Sequence, residues 1–133
     1  MVVEGKKGKE KMTEQTQENI ESELAHYIGS QNYYKTMSPN VVHTDGIKAL
    51  ADLCGAYWLI DAIVSHQSEC NKDEMLQFMQ FWSIETKDNQ AVLTCERDSD
   101  DIAITQEIEY TDFPLDKISI WVENGVMILP SEH

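Results

Sequence analysis

Asp61 is the residue in this chain with the clearest chemical potential, because it stands alone as a carboxylate inside an otherwise apolar stretch, GAYWLIDAIVSHQ. At about 100° per residue, a helix through this stretch places Tyr57 at i−4, Trp58 at i−3 and Ser65 at i+4 on the same side as Asp61. Each of the three carries a donor that a carboxylate could accept from. Lys48 and Asp52 define the wet strip of the same helix, and Asp61 falls about 220° beyond Lys48, which turns it toward the interior. A buried carboxylate must be hydrogen-bonded, paired or protonated, and such groups concentrate at functional sites. The expectation is therefore a buried polar candidate site of Asp61, Tyr57, Trp58 and Ser65, with Tyr34 supplied by the preceding connector. The structural alternative is a carboxylate that only ties the helix to a loop.

The remaining reactive residue types form no motif. His26, His43, His66 and His133 lack the HxxxH and HExxH spacings that place two imidazoles on one metal. Cys54, Cys70 and Cys95 are odd in number and unclustered, as reduced thiols are in a cytoplasmic protein. The acidic turn Glu96, Asp98, Asp100, Asp101 has neither the alternating spacing nor the glycine of a calcium loop. No phosphate loop or nucleophile elbow is present. No catalytic residue, cofactor or metal is expected.

These residues must be carried by elements that the hydrophobic periodicity predicts. Residues 1–12, with Lys6, Lys7, Lys9 and Lys11, read as a disordered tail. Thr13 caps a first helix in which Ile20, Leu24, Tyr27 and Ile28 share a face, and Gly29 is placed to end it. Residues 30–43 read as an irregular connector. Thr44 then caps one long helix to Gln67, apolar on most sides and therefore covered on more than one.

Beyond Glu74 the period changes to two. Strands are expected within 76–86, 91–95 and 102–110, the last with Ile102, Ile104, Ile108 and Tyr110 on one face. Asn124-Gly125 predicts a type I′ hairpin, with Val122 opposite Met127 and Ile120 opposite Leu129. The fold class is α+β: two helices on one face of an antiparallel sheet of about five strands, mostly a meander, in a single domain over 13–133. Trp121, Val126 and Ile128 then fall on the second face with Met79 and Phe81, an apolar patch that either suits a partner or a second copy or is covered by the 30–43 connector or the first helix.

Charge limits the partner. The net charge is −14, and since four of the ten basic residues precede Met12, 22 acids face 6 bases from there on. Such a surface repels phosphate backbones, so direct nucleic-acid binding is disfavoured and a basic protein partner is favoured. No apolar run reaches the ~20 residues of a membrane span, and no leader is expected. A cytoplasmic location follows as the expectation.

The blocks GAYWLID, QFWSIET and YTDFPLDKISIWVENGVMILPSE, in that order, resemble an uncharacterised family of short bacterial proteins, a domain of unknown function met in cyanobacteria, other bacteria and their mobile elements. The resemblance runs from about Leu24 to Glu132. It implies a small cytoplasmic bacterial protein and carries over no reaction, cofactor or site residue. Two functional classes remain open. One is a non-enzymatic acidic interaction module, a homodimer or a subunit on a basic partner, in one form a mobile-element inhibitor mimicking nucleic-acid charge. The other is a small hydrolase or ligand-binding protein with a pocket around Asp61.

Overall fold

The computed structural model describes residues 17–29 and 32–133. In chain order these form helix α1 (17–24), strands β1 (Tyr33–Lys35) and β2 (Val42–Thr44), and helices α2 (Asp45–Cys54), α3 (Tyr57–Ser65) and α4 (Gln67–Cys70). Strands β3 (Met79–Lys87), β4 (Gln90–Asp98), β5 (Asp101–Ile108), β6 (Lys117–Glu123) and β7 (Val126–Ile128) follow, and a 3-10 turn (Pro130–Glu132) closes the chain. The class is α+β, with one seven-stranded sheet in the order β1-β2-β7-β6-β3-β4-β5. The expected tail over 1–12 and the Thr13 cap lie outside the described residues.

Turn chemistry sets the antiparallel half. Asp88 and Asn89 take positive φ between the paired Lys87 and Gln90, and Asn124 and Gly125 do the same between Glu123 and Val126. Two consecutive left-handed residues are what a two-residue mirror-image turn needs to match the strand twist. The expected pairing of Val122 with Met127 is present. Leu129, expected opposite Ile120, lies just past the end of β7, buried but outside the ladder.

The sheet departs from an antiparallel meander in two ways. The chain after β5 crosses back so that β6 pairs with the free edge of β3, and β2 adds in parallel to β7. Strands β1 and β2 come from the stretch expected to be an irregular connector. At three residues each they are too short for periodicity to register, and they exist because Val42 and His43 find an open edge on β7.

One face of the sheet meets the helices. Trp82, Ile84, Leu93, Ile120, Val122 and Met127 pack in one cluster with Ile47 and Leu50 of α2 and Leu59 and Ile63 of α3. Each such side chain contributes roughly 1.5–3 kcal/mol by leaving water. Inside this core lies a closed amide network. Gln67 and Gln80 exchange reciprocal hydrogen bonds of 2.8 and 2.9 Å, and the Trp82 indole N–H donates to Gln80 Oε1 at 2.8 Å. Their other amide hydrogens go to the Ile63 and Leu76 carbonyls.

The expected long helix is two helices. Gly55 takes the left-handed conformation at φ 59°, and the Gly55 and Ala56 N–H groups both donate back to the Ala51 carbonyl, a Schellman-type end. An apolar pattern continues through the break because both helices face the same core, so periodicity alone does not reveal it. The first helix differs as well: helical structure stops at residue 24, Ile28 is 79 % exposed, and Gly29 is not left-handed.

Thr44 does cap α2, accepting from the Ile47 N–H. The far C-terminus joins this cap. The Glu132 carboxylate accepts from the Thr44 hydroxyl at 2.7 Å, the Gly46 N–H at 3.3 Å and the Leu129 N–H at 2.9 Å. A negative charge at a helix N-terminus is the favourable sign for the helix dipole.

Candidate interaction surface

The break at Gly55 decides where Asp61 goes. Leaving the helical path for Gly55 and Ala56 resets the angular phase, so an azimuth counted from Lys48 does not carry into α3. Leu59, Ile60, Ile63 and Val64 form the buried stripe of α3, and Tyr57, Asp61 and Ser65, spaced by four, lie exposed on its opposite face. The expectation of a buried Asp61 is thus corrected, although the residues expected to share its side do so. Their bonds go elsewhere: the Ser65 hydroxyl donates to the Ala62 carbonyl at 2.6 Å and the Tyr57 hydroxyl donates to Asp52. Trp58 is half-buried, edge-to-face with Phe113 at 6.2 Å.

Tyr34 belongs to a polar cluster along α2. Its hydroxyl donates to Asp45 Oδ1 at 2.8 Å, its ring stacks on buried His43 at 5.3 Å, and Lys48 Nζ lies 5.6 Å from the ring centroid. Lys48 in turn pairs with Asp52 at 2.9 Å. The Tyr57 hydroxyl and then Lys48 hold the Asp52 carboxyl below the usual aspartate range, and the same bond raises the Tyr57 phenol. Burial, first among the causes, pushes the His43 imidazole down. Asp45, Lys48 and Asp52 at i, i+3 and i+7 are the spacing by which the sequence could have shown this cluster. It is a surface ion-pair chain in which the carboxylates already hold donors.

The thiols lie in or against the core. Burial pushes the Cys54 thiol up to about 11. Cys70 and Cys95, both buried, share a hydrogen bond that lowers the Cys70 thiol and drives Cys95 well above the ordinary cysteine range. A raised pKa suppresses the thiolate of Cys54 and Cys95 on which nucleophilic and metal chemistry depends, and Cys70 is enclosed in the core. Among the described residues no three His, Cys, Asp or Glu side chains converge to hold a metal ion.

The second face of the sheet gathers the other sequence-marked residues. Strand register sets Ile128, Trp121, Phe81, Glu96 and Ile102 in one row across β7, β6, β3, β4 and β5. Directly opposed side chains in neighbouring strands touch, and the Phe81 and Trp121 rings meet edge-to-face at 5.3 Å. His133 meets the other side of Trp121 at 5.3 Å, its Nε2 3.2 Å from Glu123. Met79 lies opposite Glu123, and Val126 opposite Val42 and Glu123. Met79, Phe81, Trp121 and Val126 are half-buried and Ile128 is buried.

Ile102 enters this row against expectation. The register shifts between Cys95 and Glu96, so Ile104 still faces the core while Ile102, two residues earlier, is 55 % exposed beside Glu96. A bulge switches side-chain faces in a way that alternation in one strand does not reveal. Tyr110, expected on the same face as Ile104, lies past the end of β5 and is exposed, and Phe78, expected within a strand, precedes β3 and is 65 % exposed.

Beside the aromatic row runs a row of small hydroxyl residues, Ser119, Ser83 and Thr94, with Ser83 and Thr94 hydrogen-bonded at 3.0 Å. Next comes Lys117, Glu85 and Val92, with Lys117 Nζ 3.1 Å from Glu85. Small residues between two rows of large ones leave a groove of about 320 Å³, whose lining also includes Glu96, Asp98, Ser99 and Lys117.

Neither the curated proteins nor the solved structures compared with this chain include a match. No described helix is long and apolar enough to cross a membrane. One family model does match, over residues 18–133, and its description is a family of unknown function, DUF6876. With all but its first seventeen residues matched, the chain belongs to that family.

Proposed function

We propose that the chain is a non-enzymatic, acidic protein-interaction module that presents the open face of its sheet to a protein partner. The observation that carries the reading is the row Ile128, Trp121, Phe81, Glu96 and Ile102, apolar but for Glu96 and flanked by Met79 and Val126, on the sheet face opposite the core that α2 and α3 cover. An apolar strip rimmed by charge is the composition of a contact surface. The net charge of −14 opposes stacking two copies and favours a basic partner over a homodimer. A nucleic-acid-processing enzyme is one such partner, which an inhibitor mimicking nucleic-acid charge would bind with strong salt dependence. The rival, a hydrolase or ligand-binding pocket around Asp61, draws no support from an exposed carboxylate.

Site-specific photo-cross-linking tests the reading. A photoreactive residue at Ser119 or Val92 on the open face should give a discrete adduct in cells of the native host, while one at Asp61 or Glu69 on the helical side should not. Adducts from the helical side alone would overturn it. Light scattering on the purified chain should give the monomer mass at low salt.

A further inference from the structure

We infer that the groove beside Phe81 and Trp121 seats an arginine side chain of the basic partner. The inference rests on the interaction-module reading and adds the chemistry of the contact. The groove is lined by the aromatic Phe81 and Trp121, by Ser83 and Ser119, by the acids Glu96 and Asp98, and by Lys117. Register pairs Glu96 with Phe81 across β3 and β4, so the two residues are direct neighbours on this face. A planar cation lying along the groove gains from the ring faces and from the acids at once, and its N–H fork matches both carboxylate and hydroxyl acceptors.

The nearby charges leave this seat acidic. Lys117, itself on the lining, is paired with Glu85 at 3.1 Å, so the two acids Glu96 and Asp98 outweigh it. Arg97 is held by Asp73 at 2.6 Å and Asp101 at 3.0 Å. Glu96 Oε2 accepts from the Asp100 N–H and Asp98 Oδ1 from the Ser99 N–H, at 3.0 and 2.8 Å, which uses only part of the roughly four acceptor positions that a carboxylate offers. The same two bonds restrict the acids' rotamers, which lowers the side-chain freedom lost when a cation arrives.

The test titrates the full chain with a short glycine–arginine repeat peptide, and with matched peptides carrying citrulline or lysine in place of arginine, by calorimetry. Trp121→Leu keeps apolar area and removes the indole; Glu96→Gln removes only charge. Each should weaken the arginine peptide roughly tenfold, with far-ultraviolet circular dichroism unchanged. Asp61→Asn and Glu69→Gln remove the same charge on the helical side and should change affinity less than about twofold, as screening over that distance dictates. The citrulline peptide should not bind, and the lysine peptide should bind more weakly.

Equal losses from Glu96→Gln and Asp61→Asn would show diffuse attraction to an acidic protein and overturn the seat, as would unchanged affinity in Trp121→Leu. If the seat fails while Ser119 and Val92 still cross-link, the open face remains the contact surface and only its chemistry is wrong. Adducts confined to the helical side defeat both.

Discussion

Gly46 and Glu132 lie 86 residues apart, yet the structure makes them one energetic unit. A Cβ built on Gly46 would sit 2.4 Å from Glu132 Oε1. The obstructing atom is the end of a flexible side chain, so Gly46→Ala should displace the carboxylate without breaking the backbone. The cost is then the loss of its bonds to Thr44, Gly46 and Leu129. Hydrogen bonds to a charged group are worth roughly 1.5–3 kcal/mol when single and well shielded. Glu132 is half-exposed and its three bonds share one carboxylate, so we expect about 2–3 kcal/mol for the set from Glu132→Ala.

Gly46→Ala should lose the same bonds but recover up to about 1 kcal/mol of helix propensity, for a net loss of about 1–2 kcal/mol. The double variant removes the carboxylate once and keeps the propensity gain. It should be no less stable than Glu132→Ala alone, which puts the coupling at about 2–3 kcal/mol. Urea unfolding of the four proteins measures the cycle, and thermal midpoints should move about 3–5 °C per kcal/mol for a chain of this size. Additive losses in the double variant would contradict this coupling, since they would mean that Gly46→Ala acts by some route other than Glu132.

Three further outcomes follow from the geometry. Asp61→Leu and Asp61→Asn should each change stability by less than about 0.5 kcal/mol by urea unfolding, because an exposed side chain leaves nothing unpaired; a loss near 3 kcal/mol would restore a buried Asp61. Gln80→Leu should cost about 2–4 kcal/mol, since it strands the Trp82 indole N–H and the Gln67 amide inside the core, and a near-neutral result would mean that water or relaxation satisfies them. The Arg97 guanidinium, first among the causes, holds the Asp73 carboxyl below its usual range. A depressed carboxylate stabilises above its unfolded pKa of about 4 and loses that contribution as pH falls through the lower folded value. The stability gap between the natural chain and Asp73→Asn should therefore be present at neutral pH and close in acid; a gap that widens in acid contradicts the Asp73–Arg97 pairing.

The sequence by itself determined the local events. Asn124-Gly125 specified its turn because both residues tolerate positive φ, Thr44 specified the start of α2 because its hydroxyl can accept from the Ile47 amide, and alternation in 117–123 assigned Ile120 and Val122 to the core and Trp121 to the other face. It likewise put Trp121, Val126 and Ile128 on one face and Met79 with Phe81 on one face, since register within a hairpin and parity along a strand are local quantities, while the pairing of β3 with β6 that joins the two sets is not.

Only the tertiary structure decided what depends on where distant segments land. Three-residue strands exist because an edge awaits them, Ile102 changes face at a bulge, and Glu132 becomes a helix cap across 88 residues of chain from Thr44. Asp61 shows the limit most clearly. Helical phase is reliable only within one unbroken helix, and a single left-handed Gly55 moves that carboxylate from the expected core to water.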